Sequence, residues 1–92
     1  MIRRSVTISN RLGLHMRAAN VFADAASRFG ASIQVVRGGL KVNGKSIMGL
    51  MMLAAPCGTE IHIETNGADE QAAMDELIRL VEDGFGENGE DA

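Results

Sequence analysis

The hydrophobic period changes several times along this chain, and these changes limit the folds that it can adopt. Four short segments alternate apolar with polar residues, which is the pattern of a strand that buries one face. Three others space their apolar residues three or four positions apart or follow a capping serine, which predicts helices. The predicted strands are 2–8, 32–37, 40–42 and 59–65, and the predicted helices are 16–29, 47–55 and 70–83.

Glycine and asparagine residues mark the turns between these segments. Gly38-Gly39 predicts a tight hairpin, Asn43-Gly44 a second turn, and Gly30 the end of the first helix. The order is therefore β-α-β-β-α-β-α, and each strand has one apolar face. We predict the α+β class, an open-faced β-sandwich in which a four-stranded antiparallel sheet is wet on one face and covered by three helices on the other.

A chain of 92 residues suits one compact domain. No linker or repeat interrupts it, so we predict a single domain over 1–86 and an acidic, flexible tail over 87–92. Asp69 is expected to cap the last helix. Cys57 is the sole cysteine, which excludes an internal disulfide, and we expect a small, partly buried residue without chemistry.

Composition argues against several functional classes. The net charge is −3, and tryptophan and tyrosine are absent, so neither electrostatic attraction nor base stacking favours nucleic-acid binding. No apolar run is long enough to span a membrane, and the N-terminus lacks the apolar core of a signal peptide. We expect a cytoplasmic protein without membrane insertion. Two separated histidines and one cysteine show no metal-ligand spacing, so no metal or cofactor is predicted.

His15 lies where the first strand pattern gives way to the first helix, in the segment Gly-Leu-His-Met-Arg at 13–17. The start of a helix offers unpaired N–H groups and the positive end of the dipole, which together favour a bound anion. Arg17 adds a forked guanidinium suited to phosphate. The same positive end favours a neutral imidazole with a lone pair for attack on phosphorus. We hypothesise that His15 accepts a phosphoryl group.

The alternative is that His15 only caps the helix or lies in a loop, which spacing alone favours. Gly13 is compatible with both interpretations, because a glycine here also serves a simple turn. His62, the other histidine, falls on the solvent side of the last strand pattern, and no chemistry is predicted for it.

The short predicted helix 47–55 is apolar on nearly all sides, so it is either wholly buried or presents a patch to a partner. The side expected to face the sheet holds Ile47, Leu50 and Ala54. The other side holds Met48, Met51, Met52 and Ala55. Methionines there serve either as a docking surface or as core filler. Ser46 is a predicted N-cap that a kinase could also modify.

Two segments resemble a known family. The sequence NRLGLHMRAA at 10–19 is similar to the phosphorylation-site segment of HPr, the histidine-containing phosphocarrier of the bacterial phosphotransferase system. The segment 44–87, which begins GKSIMGLMML, is similar to the second half of the same family. The likeness covers nearly the whole chain and is greatest for the nitrogen-related branch, NPr.

The resemblance implies a phosphoryl carrier that is not an independent catalyst. His15 matches the histidine that takes phosphate on Nδ1 from phosphorylated enzyme I, and the recipients would be EIIA-type proteins. Arg17, with the backbone of Met16 and Ala18, would position the phosphate. Ser46 matches the serine that HPr kinase/phosphorylase modifies. The implied partner surface, on a chain expected to be monomeric, consists of Asn20, Ile47, Met48 and Met51. Met52 of the same predicted helix is expected to extend this surface.

Three positions depart from the family pattern. Ala18 stands where proline is common, Met16 where alanine or threonine is usual, and Asp24 where sugar-system members often carry lysine. Two alternative functions stay open beside the carrier. One is a small acylphosphatase-like enzyme that uses Arg17 to bind phosphate. The other is a regulatory binding module in which His15 is incidental and Ser46 controls docking.

Overall fold

A computed structural model describes residues 1–87. These residues form four strands and three helices in the predicted order, and the α+β class is confirmed. The strands are β1 (Ile2–Thr7), β2 (Ser32–Arg37), β3 (Leu40–Asn43) and β4 (Glu60–Asn66). The helices are α1 (Met16–Ala26), α2 (Ile47–Leu53) and α3 (Glu70–Glu82), and a 3-10 turn over Gly84–Gly86 follows α3. In this part of the chain, no helix has the length and apolar character needed to cross a membrane.

The four strands form one antiparallel sheet in the order β1-β4-β2-β3. Val35 in β2 is paired with Val42 of β3 and Ile63 of β4. All three side chains are buried in a single core that the inward face of the sheet shares with the helices. The apolar faces predicted for β1, β2 and β4 therefore point to this core, whereas in β3 only Val42 does and Leu40 is exposed.

The opposite face of the sheet is mostly polar, with Val36 as an apolar exception. His62 lies there, as predicted, and is paired with Ser5 of β1. Glu64 lies on the same face, yet its side chain is only 9% exposed because it forms ion pairs with Arg3 of β1 and Lys41 of β3. The hydrogen bond from Lys41, together with the weaker effect of Arg3, lowers the pKa of Glu64.

Helix α1 ends at Ala26, three residues earlier than predicted. The N–H groups of Arg28 and Phe29 bond to carbonyls only three residues back, those of Ala25 and Ala26. The chain thus leaves the helix through a tighter turn, and Gly30 does not cap α1.

Asp69 holds the connection between α1 and β2 in place. It occupies the N-cap position of α3, as predicted, but its side chain makes no capping hydrogen bond there. The carboxylate instead accepts from the main-chain N–H groups of Gly30 and Ala31, both at 2.9 Å. These bonds satisfy two donors of the α1–β2 connection, and they lower the pKa of Asp69, the Gly30 bond most strongly.

We expect Asp69→Asn to lower the free energy of unfolding near neutral pH and to reduce its dependence on acid. Folding lowers the pKa of Asp69 from its usual 3.8. Its stabilisation is therefore present above that value and is lost as the pH falls through the folded-state pKa. Urea unfolding at about pH 7 and about pH 3 measures both effects. Asp75→Asn, at an exposed position of α3, is the control. An acid dependence equal to that of the wild type would contradict the role given to Asp69.

Helix α2 ends at Leu53, two residues earlier than predicted. Ala54 takes the left-handed conformation with a φ of 49° and ends the helix without a glycine. The guanidinium of Arg37 stabilises this end by donating to the carbonyl oxygens of Leu53 and Ala54, at 2.7 and 3.0 Å.

The left-handed residue changes which side chains of this segment face the core. Leu50 and Leu53 are buried, whereas Ile47 and Ala54 are exposed, so the prediction that Ile47 and Ala54 face the sheet was wrong. Ala55, expected on the outer side, is buried instead. Helical spacing does not apply beyond Leu53, because Ala54 redirects the chain, which accounts for Ala54 and Ala55. The exposure of Ile47 has a different cause, because Ile47 lies in the first turn of α2, before this change.

Cys57 is exposed, so the prediction of a partly buried position was wrong. The residue lies in the turn that joins α2 to β4. This turn is closed by a 3.1 Å hydrogen bond from the Thr59 N–H to the carbonyl of Pro56.

Candidate functional site

His15 is the N-cap residue of α1, so the capping role is confirmed. Its backbone is extended, with φ −88° and ψ −175°, and its carbonyl accepts the first helical hydrogen bond, from Ala19 at 2.8 Å. The ring caps the helix as well, because Nδ1 accepts the main-chain N–H of Arg17 at 3.3 Å. Capping by a ring nitrogen does not exclude chemistry, since it aims Nδ1 at the positive end of the helix.

The loop before His15 is held by hydrogen bonds to two different partners. The N–H of Leu14 donates to the carbonyl of Ala55 at 2.8 Å, and the side chain of Asn10 donates to the carbonyl of Gly13 at 2.7 Å. Asn10 and Leu14 are both buried. The ring of His15 therefore projects from a fixed backbone.

Gly13 is a position of this loop with no room for a side chain. Its φ is +73°, and a Cβ there would lie 2.6 Å from the carbonyl oxygen of Ala55 and 2.9 Å from Cα of Pro56. We expect Gly13→Ala to lower the free energy of unfolding by about 2–4 kcal/mol through backbone strain and overlap together. Gly38→Ala is the matched control, since Gly38 has a φ of +56° but an added Cβ meets no atom within 4 Å. Urea unfolding compares the two variants. Equal losses of unfolding free energy would show that overlap of the added Cβ with its neighbours contributes nothing.

The other ring nitrogen of His15 contacts a carboxylate that was predicted to lie in the acidic tail. Nε2 lies 2.8 Å from Oε2 of Glu87, and Oε1 of Glu87 accepts from Nδ2 of Asn10 at 2.9 Å. Glu87 is only 4% exposed, so it belongs to the folded domain, one residue beyond the predicted boundary. The rest of the predicted tail, 88–92, lies outside the described residues.

The chain between α3 and Glu87 explains how this contact forms. Phe85 is buried in the core, and its φ of 57° turns the chain between Gly84 and Gly86, both of which also have positive φ. The buried side chain of Phe85 fixes this segment against the core, and Glu87 therefore lies beside the start of α1. A phenylalanine between two glycines was the available signal, but a contact between residues 72 positions apart leaves no local pattern.

A shallow open groove lies beside His15, between the start of α1 and helix α2. The side chains that line it are Leu12, His15, Met16, Arg17, Asn20, Ile47, Met48 and Met51. Leu12, Met16 and Met48 are largely exposed, which makes the groove apolar. The structure thus brings most of the predicted site residues together. Leu12 was not predicted, because a single apolar residue in a turn carries no periodic signal.

Three predicted site residues do not line this groove. Met52 is exposed on α2 but lies outside the lining. Ala18 is buried, so only its backbone can serve a ligand. Ser46 caps α2, as predicted, because its Oγ accepts the Gly49 N–H at 3.1 Å. The exposure of Met48 and Met52 also shows that the core-filler interpretation was wrong for both.

The arrangement around Nδ1 suits an anion such as a phosphoryl group. The first-turn amides of α1, at Met16, Arg17 and Ala18, have no carbonyl one turn earlier to bond to, and the helix dipole adds positive potential. Arg17 lines the same groove, and a guanidinium has the forked geometry that suits phosphate oxygens. Over residues 1–87, no three His, Cys, Asp or Glu side chains cluster as metal ligands would.

Comparisons with known proteins identify the family. Residues 2–83 match the family model described as the PTS HPr component phosphorylation site. The chain is 53% identical over 87 residues to the phosphocarrier protein HPr of Neisseria meningitidis serogroup B, covering 95% of this chain and 98% of that protein. It is 47% identical over 87 residues to HPr of Cupriavidus necator, with the same coverage of 95% and 98%.

The fold agrees with that of solved HPr structures. A crystal structure of HPr from Thermoanaerobacter tengcongensis matches with a TM-score of 0.92 at 40% identity, covering 96% of this chain and 99% of that one. HPr from Bacillus anthracis matches with a TM-score of 0.84, also at 40% identity, covering 87% and 95%. The chain belongs to the HPr family, the phosphocarrier components of the phosphotransferase system, and is not an independent catalyst.

Proposed function

We propose that this protein takes a phosphoryl group on Nδ1 of His15 from phosphorylated enzyme I and passes it to EIIA-type proteins. The observation that supports this is the orientation of the ring. Nδ1 faces the amides that begin α1, 3.3 Å from the nitrogen of Arg17, whereas Nε2 is engaged by Glu87. Nδ1 is therefore the ring nitrogen that borders an anion-binding helix end.

The chemistry is a displacement at phosphorus in each direction. The Nδ1 lone pair is released from the Arg17 N–H and forms the N–P bond while the bond between phosphorus and the donor breaks, and the donor keeps that electron pair. On delivery, the N–P bond of His15 breaks, its electron pair returns to Nδ1, and the nucleophile of the recipient bonds to phosphorus. Arg17 and the amides of Met16 and Ala18 hold the phosphoryl oxygens in both steps.

Both partners dock on the apolar groove beside His15. Met48 and Met51, with Ile47 and Asn20, surround the ring on this side, and Met52 extends the apolar surface along α2. Methionine side chains are flexible and polarizable, so one surface can accommodate a donor and a recipient in turn. Donor and recipient therefore bind in turn, and the monomeric state stays a prediction.

The experiment uses phosphoenolpyruvate with a labelled phosphoryl group, and each enzyme I paralogue of the host in turn. The phosphoprotein is isolated, incubated alone, and then mixed with an EIIA protein. We expect the label to persist on the protein alone and to move to EIIA in the second step. Rapid release of inorganic phosphate without a partner would favour an acylphosphatase-like enzyme. If the label moves to no EIIA protein, the proposed carrier function is wrong.

The same assay separates the two branches of the pathway. Phosphorylation by the nitrogen-related enzyme I paralogue alone would assign the protein to the NPr branch, and phosphorylation by the sugar-system paralogue alone would assign it to sugar transport. The nitrogen-related branch and the cytoplasmic location both stay predictions.

We also propose that phosphorylation of Ser46 by HPr kinase/phosphorylase controls docking, because Ser46 directly precedes Ile47 and Met48 of the groove. Ser46→Asp should leave the free energy of unfolding within about 0.5 kcal/mol of the wild-type value, since aspartate caps a helix as well as serine does. The same change should weaken binding to enzyme I about tenfold, because a charge beside an apolar surface loses hydration on docking. Ser46→Asn, an equally good but uncharged cap, is the control. Calorimetric titration measures the affinity, and an unchanged value for Ser46→Asp would contradict this regulation.

A further inference from the structure

Glu87 and Asn10 form a buried polar pair behind His15 that the transfer steps above do not use. We propose that Glu87 is a positioning residue for phosphoryl transfer, which fixes the proton of the neutral His15 ring on Nε2 and so keeps the Nδ1 lone pair available. This inference rests on the proposed role of His15 as the phosphoryl acceptor.

The hydrogen-bonding capacities of the neighbours assign the ring proton. A carboxylate only accepts hydrogen bonds, so Nε2, 2.8 Å from Oε2 of Glu87, is the donor. A main-chain N–H only donates, so Nδ1 is the acceptor of the Arg17 amide. The two contacts lie on opposite sides of the ring and come from distant parts of the chain. Both require the same tautomer, with the proton on Nε2 and the lone pair on Nδ1.

Glu87 is itself held in place, unlike a carboxylate in a surface ion pair. It is 4% exposed and its second oxygen, Oε1, accepts from Asn10 at 2.9 Å. Asn10 is completely buried, and the same amide nitrogen donates to the carbonyl of Gly13. Its Oδ1 has no hydrogen-bond partner within residues 1–87, so the two acceptors alone orient the amide. The carboxylate is thus tied to the backbone that carries His15, as partners that orient a functional imidazole are.

The contact also serves the chemical step. As Nδ1 bonds to phosphorus, positive charge develops on the ring while the proton stays on Nε2. The carboxylate of Glu87 faces that proton at 2.8 Å and stabilises the charge where it forms. When the N–P bond breaks, the electron pair returns to Nδ1 and the ring recovers the same tautomer. No proton has to move to or from the ring, either when His15 accepts the phosphoryl group or when it delivers it.

The test compares the full-length wild type with Glu87→Gln, which keeps a neutral acceptor, and Glu87→Met, which keeps the bulk but removes the acceptor. Glu82→Met, at an exposed carboxylate of α3, is the matched control. Proton and nitrogen NMR of the unphosphorylated, ¹⁵N-labelled protein reports the Nε2-bound proton of His15. The rate of phosphoryl acceptance from phosphorylated enzyme I is then measured for each protein.

We expect a downfield, slowly exchanging Nε2 proton in the wild type and in Glu82→Met, a weaker signal in Glu87→Gln and its loss in Glu87→Met. The acceptance rate should fall about tenfold in Glu87→Met and less in Glu87→Gln. An unchanged Nε2 signal in Glu87→Met would overturn the inference, as would loss of that signal with an unchanged rate. If Glu87→Met does not fold, Glu87→Gln supplies both readouts. A wild type that accepts no phosphoryl group on His15 would instead refute the proposed function, because the ring signal is recorded without phosphorylation.

Discussion

His15→Ala is expected to abolish acceptance of phosphate from enzyme I while leaving the protein folded. The substitution removes the nitrogen that we propose attacks phosphorus, and the other histidine, His62, lies in β4 and does not line the groove. It also removes an N-cap contact and the Nε2 partner of the buried Glu87 carboxylate, which together should cost about 2–4 kcal/mol of stability. The measurement is the amount of acid-labile phosphate bound after incubation with phosphoenolpyruvate and enzyme I.

The matched control is His62→Ala, which removes the other histidine from the polar face of the sheet. This variant should bind as much phosphate as the wild type. If His15→Ala still accepts phosphate and transfers it to EIIA, the carrier assignment of His15 is wrong. A loss in both variants would point to a general requirement for histidine that the site geometry does not explain.

Arg17→Glu is expected to slow phosphoryl acceptance by about a hundredfold or more with little change in stability. Arg17 is exposed at the start of α1 and borders the groove beside His15. A charge-assisted, forked contact to phosphate contributes about 3 kcal/mol, and a carboxylate in its place repels the phosphoryl oxygens. Since each 1.4 kcal/mol changes a rate by about tenfold, the predicted loss is large. Single-turnover kinetics and urea unfolding of the same samples measure the two quantities.

Two further variants separate the causes of the Arg17 effect. Arg4→Glu makes the same charge change at an exposed position of β1, and it should leave the rate within about twofold if long-range charge is screened. Arg17→Lys keeps the charge but loses the forked guanidinium, so its rate of phosphoryl acceptance should lie between those of the wild type and Arg17→Glu. Equal effects of Arg17→Glu and Arg4→Glu would mean that net charge alone controls the reaction. A loss of stability that matches the loss of rate would mean that Arg17 serves the fold.

The order of the elements could be predicted because each depends on local periodicity. The ends of α1 and α2 could not, because side chains from elsewhere in the sequence determine them. Asp69 takes up the N–H groups of Gly30 and Ala31 from 39 and 38 positions away. Arg37 likewise reaches the carbonyls at the end of α2 from β2. A local signal such as a glycine or a proline indicates where a helix can end, whereas the tertiary contact decides where it does.

The residues of the candidate site also fall into a group with a local sequence signal and a group without one. The positions of His15, Arg17 and Ser46 at helix starts could be predicted from local patterns, because backbone amides and the dipole make a chemical environment there. Glu87 could not, because its burial depends on the anchor at Phe85 and on Asn10 at the other end of the chain. An acidic residue near a C-terminus is usually solvated, and here the fold places it against the imidazole.

The most direct measurement is the position of the phosphoryl group on the wild-type protein after reaction with phosphoenolpyruvate and enzyme I. Mass spectrometry under alkaline conditions identifies the residue, and the coupling between ³¹P and ¹⁵N in the labelled protein identifies the nitrogen. We predict a single adduct on Nδ1 of His15. A phosphoryl group on Nε2 of His15, on His62, or as an acid-stable ester on Ser46 would contradict this account.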